Sequence, residues 1–431
     1  MRQVGFITLG CKVNIYESNA LKNELIERGF SITDANEKCD VYVINTCSVT
    51  NMADAKSRKM IHKCINMNPE AIICVMGCYS QTNPEAKTIE GVDILVGNGN
   101  KKDVVLQIEK MLDTEVKEKY INILDILETH EYEKLEVTTY DHTRAFVKIE
   151  DGCENFCTYC IIPYARGPVR CKCADDVISE LKRVTEMGYI EVVLSGIHTG
   201  RYMDNNTNLS KLVKRILEEV PLLKRLRLSS IEINEVDDDF IELMRNNKIL
   251  ANHLHLPLQS GSDKILSKME RRYDKAYFLN KVNKIKNARP DISLTTDVIV
   301  GFPYEEEEDF IETMEFCKEI GFSKLHVFPY SLRKGTKAAL MPQVKDNIKK
   351  ERTKRLIELS DSLEEKYYKS QIGKRLDVIV EQELKDNLMI GHTSNFLNVH
   401  LPLDKKLLRK QVDVEIFELK NDMLFGKIIG E

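Results

Sequence analysis

The sequence predicts an α/β protein in three parts: a parallel-sheet amino-terminal domain, a partial, TIM-like barrel of six β/α units, and a small carboxy-terminal β-barrel. Three observations predict this. Apolar strands alternate with helical patterns over the first hundred or so residues, and again from about residue 144 to 370. From about residue 372 the pattern changes to short runs of period two. Cysteines stand directly behind successive strands of the first part, and as a tight triplet behind the first strand of the second. The expected domain limits are 1–125, 143–370 and 372–431.

Composition narrows the class. A chain of 431 residues suggests two or three domains, and 42% apolar residues suffice for sizeable cores. No apolar run approaches the ~20 residues of a membrane span. Met1-Arg2-Gln3-Val4-Gly5-Phe6-Ile7 reads as the start of a strand and lacks a signal-peptide layout. Twelve cysteines without a secretory signal argue for a reducing, cytoplasmic setting and for metal ligation rather than disulfides. A net charge of -5 does not advertise nucleic-acid binding, so any RNA contact must come from local basic patches.

In chain order, Val4–Leu9 is the first strand, and Tyr16–Arg28 is an amphipathic helix ended by Gly29. Strands follow at Val41–Thr46, Ala71–Met76 and Asp93–Val96, with a helix over Met52–Asn66. Cys11 follows the first strand, Cys47 the second and Cys78 the third. Ligands of open parallel sheets bind beyond the carboxyl ends of the strands, so these three thiols would meet at one rim. Three such thiolates would hold an iron–sulfur cluster with one iron left open. Three unrelated core thiols remain the alternative, since Cys39, Cys64 and Cys74 show that the chain also uses cysteine as a small hydrophobe. Met111 to Thr143, with Glu115, Lys117, Glu118, Lys119, Glu131, Glu133 and Lys134, reads as a solvated connector.

The strand Phe146–Ile149 runs into Asp151-Gly152-Cys153-Glu154-Asn155-Phe156-Cys157-Thr158-Tyr159-Cys160. Thiols at C-x3-C-x2-C suit a four-iron cluster on three protein ligands, whose open iron is a place for chemistry. A zinc knuckle would need a fourth ligand, and no His lies in the loop. A long helix with inert thiols is opposed by Gly152, Asn155 and Thr158. The remaining strands are Glu191–Leu194, Arg225–Ser229, His253–Leu256, Leu294–Val300 and Lys324–Phe328. Helical patterns such as Asp175–Met187, Leu209–Glu219 and Glu305–Ile320 lie between them. Barrels of this kind place chemistry at the carboxyl ends of their strands. Polar or small residues gather at those ends: Ser195-Gly196, Ser229 to Glu232, Gln259-Ser260-Gly261, Gly301-Phe302-Pro303 and Pro329-Tyr330. Taken singly, each also suits a turn. Cys317 lies on a helix and reads as core.

In the last part, Lys374–Val380, Leu388–His392, Leu397–Val399, Gln411–Phe417 and Met423–Ile429 alternate as the strands of a five-stranded barrel. Basic stretches lie at Lys405-Lys406-Leu407-Leu408-Arg409-Lys410 and Lys349-Lys350-Glu351-Arg352-Thr353-Lys354-Arg355. Each also reads as an ordinary solvated face.

The triplet loop resembles the cluster motif of radical S-adenosylmethionine (SAM) enzymes. That resemblance implies a [4Fe-4S] cluster on Cys153, Cys157 and Cys160, with SAM on the fourth iron and split to a 5′-deoxyadenosyl radical. It implies Tyr159 near the adenine, Ser195-Gly196 at the methionine amino group, and Ser229 to Glu232 at the ribose and carboxylate. It also implies Gln259 as a SAM-pocket residue, and the strands ending at Val300 and Tyr330 beside adenine. Thr8-Leu9-Gly10-Cys11-Lys12-Val13-Asn14, Asn45-Thr46-Cys47-Ser48-Val49-Thr50 and Gly77-Cys78 resemble the amino-terminal domain of methylthiotransferases. These carry an auxiliary [4Fe-4S] cluster on three such cysteines. The last part resembles a TRAM RNA-binding domain, whose exposed aromatics, such as Phe396, could stack on bases. The resemblance implies that one SAM methylates a sulfur carried on the auxiliary cluster, and that a second supplies the radical that takes hydrogen from C2 of an adenine. No general acid or base is assigned.

Within the family, Thr8 to Glu17 and Pro163-Tyr164-Ala165-Arg166-Gly167 are most similar to the branch acting on N6-threonylcarbamoyladenosine at tRNA position 37. The alternatives are the isopentenyladenosine branch and, outside enzymes, an RNA-binding protein with structural clusters. The implied partners are a tRNA anticodon stem-loop, an electron donor such as flavodoxin or ferredoxin, and a sulfur donor; no membrane is involved. Arg170-Cys171-Lys172-Cys173 departs from the family, which usually has Ser and Pro at the two Cys positions. The simpler reading is a tolerated substitution.

Overall fold

The computed structural model describes residues 1–114, 116–140 and 143–429. Glu115 of the expected connector lies outside these, as do residues 141–142 and 430–431.

The first part is a six-stranded parallel sheet in the order Ser31–Thr33, Gln3–Thr8, Val41–Thr46, Ile72–Gly77, Ile94–Val96, Tyr120–Asn122. Val41–Thr46 and Ile72–Gly77 are buried along their whole length, as strands covered on both faces must be. Cys74 lies in the core on one face; Cys39 and Cys64 lie in the core on the other. The expected first, second and third strands are adjacent, so Cys11, Cys47 and Cys78 leave the sheet side by side.

Helix α1 spans Lys12–Glu27 and begins directly after Cys11, four residues before the expected start. It is not simply amphipathic. Leu21 and Leu25 join the sheet core, whereas Tyr16 and Ala20 join the core of the barrel. Its polar residues Asn14, Glu17, Ser18, Asn19 and Asn23 are buried as well. Most of them have partners, from the sheet as well as the barrel: Asn14 donates to Leu9 O (2.7 Å) and Thr46 O (3.0 Å), and Ser18 Oγ accepts from Thr8 (2.7 Å). The Tyr16 hydroxyl donates to Leu135 O at 2.9 Å, and Asn23 Oδ1 accepts from Thr138 N (2.7 Å) and Thr139 N (3.0 Å).

The solvated connector is therefore corrected. Lys102–Thr114 is a helix, Tyr120–Asn122 is the sixth strand, and Leu135, Val137 and Tyr140 are buried in the barrel core. The charges of this stretch masked apolar residues that α1 and the sheet edge need.

Six parallel strands form the second part: Ala145–Lys148, Glu191–Ser195, Arg225–Leu228, His253–His255, Ser293–Val300 and Lys324–Pro329. They pair as two halves of three strands, joined by the single bridge Leu226–Leu250 and by Ile231 N donating to His255 O at 3.1 Å. Cys317 lies in this core. Glu150–Asp151 pairs antiparallel with Arg170–Cys171 and closes the triplet loop at its base. Cys171 Sγ accepts from Met203 N at 3.2 Å, and Cys173 precedes the helix Ala174–Glu186.

The last part is a closed barrel in the order Arg375–Glu383, Leu388–Thr393, Asn398–Pro402, Met423–Ile428, Gln411–Lys420. Inward Val378, Val380, Met389, Val399, Leu401, Val414, Ile416 and Leu424 alternate with outward residues, as period two requires. It is latched to the large barrel by Arg225 and Arg227, both held by buried Glu191. Arg225 donates to His392 O at 2.9 Å and pairs with Asp377 at 2.7 Å; Arg227 donates to Ser394 O at 2.8 Å and Thr393 O at 2.5 Å. Among the described residues no helix is long and apolar enough to cross a membrane.

Candidate active site

The triplet loop folds over the carboxyl ends of the barrel strands. Cys153 N donates to Gly167 O (2.9 Å), Cys160 N to Cys157 O (2.9 Å) and Thr158 N to Met269 O (3.1 Å). Cys153, Cys157 and Cys160 line a cavity of about 260 Å³ with Tyr159, Thr199, Glu232, Gln259 and Arg271. Arg271 donates to Cys157 Sγ at 3.4 Å and pairs with Glu232 at 2.7 Å. His198 Nδ1 lies 3.6 Å from Cys153 Sγ, and its Nε2 lies 2.6 Å from Glu235. Burial, reinforced by the neighbouring thiols, pushes Cys153 up and Cys160 to about 12. Such thiols become thiolates only on binding metal, which is how a metal-loaded site differs from an empty one.

Gly152 makes the loop possible. Its φ is +109°, and a Cβ there would meet Pro168 O at 2.0 Å. Gly152→Ala is expected to cost about 3 kcal/mol in strain and overlap and to lower the iron retained on reconstitution, which an iron assay beside thermal unfolding would measure.

At the rim of the sheet, Cys11, Cys47 and Cys78 are electrostatic neighbours. Gly10, at φ +100°, lets the first loop approach Cys47; a Cβ there would meet Cys47 Cβ at 2.9 Å. Cys11 is accessible, yet the surrounding protein screens it from bulk water, and this burial pushes its thiol up, with Arg166 opposing. Cys47 is pushed by burial to about 11. Asn98 Nδ2 lies 3.5 Å from Cys78 Sγ. These groups suit an anionic cluster: three thiols graded from accessible Cys11 to buried Cys78, a nearby guanidinium and an amide donor.

Between the two thiol sets runs a buried charge network. Glu17 pairs with Arg166 (2.6 Å), Lys148 (2.9 Å) and Lys101 (3.2 Å), and Asp151 pairs with Lys148 (2.7 Å) and Arg166 (3.2 Å). Burial alone would raise Glu17, but Arg166, Lys101 and Lys148 hold it down to about 2.

The barrel lumen forms a second cavity, of about 750 Å³, with Cys11 and Lys12 in its wall. Ser230 and Asp297 line both cavities, so lumen and triplet cavity adjoin. The lumen is large enough for a nucleoside.

The expected SAM residues divide. Tyr159, Glu232 and Gln259 line the triplet cavity. Ser229 and Gly196 line the lumen; Ser229 Oγ, and Thr199 Oγ1 in the triplet cavity, are buried without a hydrogen-bond partner among the described residues. Gly196 leaves room for the Glu150 carboxylate, 2.6 Å from where its Cβ would stand. Ser195 Oγ donates to Val147 O at 3.2 Å, inside the sheet. Val300 is buried and accepts from Tyr330 N at 2.8 Å; Tyr330 packs on Phe302 beside Tyr159. Arg271, His198, Arg166 and Glu17 were missed. Arg166 and Glu17 stood within noted stretches, but Arg271 and His198 carry no spacing signal.

The basic stretch at 349–355 is corrected in part. Arg352 is buried on Glu305 (2.8 Å) and Glu307 (3.2 Å), and Arg355 pairs with Glu307 (2.6 Å), so both brace the fold. Lys405, Lys406, Arg409 and Lys410 are exposed. Phe396 faces the lumen, stacked on His253 at 5.0 Å beneath Arg144 and Arg227.

Residues 3–97 match the family described as "Uncharacterized protein family UPF0004", and residues 147–317 match the "Radical SAM superfamily". A threonylcarbamoyladenosine tRNA methylthiotransferase MtaB from Bacillus subtilis (strain 168) is 43% identical, over 97% of this chain and 94% of its own length. This chain belongs to the radical SAM methylthiotransferases of the MtaB type. A tRNA-2-methylthio-N(6)-dimethylallyladenosine synthase of Acetivibrio thermocellus is more distant, at 34% identity over 98% of this chain and 90% of its own length. The structure of the radical SAM methyltransferase TsrM from Kitasatospora setae shares the fold, with a TM-score of 0.57 at 12% identity over 76% of this chain and 75% of that one. In the MtaB-type chain the two matched regions carry one thiol set each.

Proposed function

We propose that this enzyme adds a methylthio group to C2 of N6-threonylcarbamoyladenosine at position 37 of tRNA. The observation that carries the reading is that one sheet-rim thiol, Cys11, stands in the wall of the lumen, while the cavity of the triplet adjoins that lumen through Ser230 and Asp297. Kinship with MtaB-named relatives over nearly the whole chain supports the tRNA substrate and the branch. Cys153, Cys157 and Cys160 would hold one [4Fe-4S] cluster with SAM, and Cys11, Cys47 and Cys78 the other. When bound, these groups supply the electron that splits SAM and the site that carries sulfur.

The chain's own share is positioning and the exclusion of water. Arg271 steadies Cys157 and orients Glu232 beside SAM. Arg166 offsets the charge of the sheet-rim thiolates. Tyr159, Glu232, Gln259 and Thr199 supply the ring and polar atoms of the SAM cavity. The carboxy-terminal barrel, with Lys405, Lys406, Arg409 and Lys410 exposed, takes the tRNA backbone as a TRAM-like module. The setting is cytoplasmic, with a flavodoxin- or ferredoxin-like reductant.

Nucleoside mass spectrometry of tRNA from a strain lacking this protein tests the reading. The expected result is loss of 2-methylthio-N6-threonylcarbamoyladenosine and accumulation of its unmethylthiolated form. Loss of the methylthio group from the isopentenyl nucleoside instead would move the enzyme to the other branch.

A further inference from the structure

The lumen holds more positive charge than it needs for its own stability. Around it, nearly every cation has an acidic partner: Arg227 has Glu191, Arg144 has Glu381 at 3.2 Å, Lys324 has Glu364 at 2.8 Å, and His255 faces Asp297 at 3.3 Å. Lys12 differs. It lines the lumen and is partly buried, and among the described residues it has no ion-pair or hydrogen-bond partner. Arg144 and Arg227 repel it, while the adjoining Cys11, when ionised, attracts it. It also opens α1, whose first turn has no capping side chain and so presents free backbone N–H groups. An unpaired, partly desolvated ammonium kept among like charges is costly unless an anion arrives to meet it.

We infer that Lys12, backed by Arg144 and Arg227, is the subsite for a carboxylate on the N6 substituent of the substrate adenine. The inference rests on the function proposed above and deepens it. A threonylcarbamoyl group ends in a carboxylate; an isopentenyl group is wholly apolar and would leave Lys12 unpaired. Lys12 follows Cys11 directly, so a base read at Lys12 lies beside the sheet-rim thiol set. The subsite thus selects the substrate by charge before any chemistry occurs. Phe396 and His253 supply flat apolar surface beneath the same substituent.

The test is binding by the full-length, reconstituted protein. Fluorescently labelled anticodon stem-loops carry either N6-threonylcarbamoyladenosine or its neutral carboxamide. The protein is expected to bind the acid about tenfold more tightly than the amide, the scale of one charge-assisted hydrogen bond. Lys12→Met should bind both loops alike, and Lys12→Arg should restore the preference. Equal affinity of the unaltered protein for acid and amide overturns the assignment. So does an equal loss for both loops in Lys12→Met, which would make Lys12 a backbone-phosphate contact. The same preparations, given SAM and dithionite, keep the two readings apart. Methylthiolation without acid preference defeats only the subsite. Methylthiolation of an isopentenyl loop alone defeats the proposed function, and the subsite with it.

Discussion

Cys157→Ala is expected to end the release of 5′-deoxyadenosine from SAM, and Cys47→Ala is expected to leave that release intact while ending methylthiolation. The two cysteines belong to sets that share no residue. Cys157 is buried at the base of the triplet cavity and receives Arg271 at 3.4 Å. Its loss removes a ligand from the proposed three-ligand site and leaves Arg271 without its sulfur acceptor. Loss of an outer-shell partner alone typically lowers metal-site function 10- to 100-fold, so loss of a ligand should exceed about a hundredfold. Cys47 sits at the rim of the sheet, near Cys11 and Cys78. Its loss leaves the triplet loop and its hydrogen bonds to Gly167 and Met269 in place. Anaerobic incubation with dithionite, SAM and tRNA, followed by chromatography of both products, reads the two steps together. Methylthiolated tRNA from Cys47→Ala would remove the sheet-rim thiols from the reaction.

Glu17→Ala is expected to destabilise the protein by about 3–5 kcal/mol, the scale of an ion pair broken from one side in a buried setting. Glu17 is fully buried, and its loss leaves Lys101 with Glu133 at 3.9 Å, and Lys148 and Arg166 with Asp151. Its acidity is linked to folding. The folded carboxyl is held to about 2, below its ordinary 4.5, so its contribution is complete above about pH 4.5 and is lost as pH falls toward 2. Denaturant unfolding at pH 7 and pH 3 checks both statements. A change below 1 kcal/mol at pH 7 would mean that water reaches the network.

Much of the fold was legible because periodicity reports burial. Val41–Thr46 and Ile72–Gly77 are covered on both faces, and their unbroken apolar runs declared it. The carboxy-terminal barrel was legible for the opposite reason, its strict alternation. Helix α1 was misread because periodicity records only where apolar residues lie. A polar stripe buried between the sheet and partners such as Leu135, Lys148 and Arg166 looks, in sequence, like one that faces water. The connector failed in the same way. In the site, the thiols were visible because the Gly-Cys and C-x3-C-x2-C spacings are local. Arg271 reaches Cys157 from 114 residues away, and no local pattern announces it. Lys12 was noted only as a letter of a motif; its lack of a partner is a fact of three dimensions.

The burial of Glu17 also sets an order in time. Arg166 is 149 residues downstream, so the ribosome completes the whole parallel sheet before making the guanidinium that its first helix awaits. At ~5–20 residues per second, that interval lasts roughly ten to thirty seconds. During it, α1 carries Glu17 and Asn23 without the partners they take from Thr138, Thr139, Lys148 and Arg166. Arg166 emerges only after Cys160. The buried charge network of α1 is therefore completed only once the triplet loop has been made.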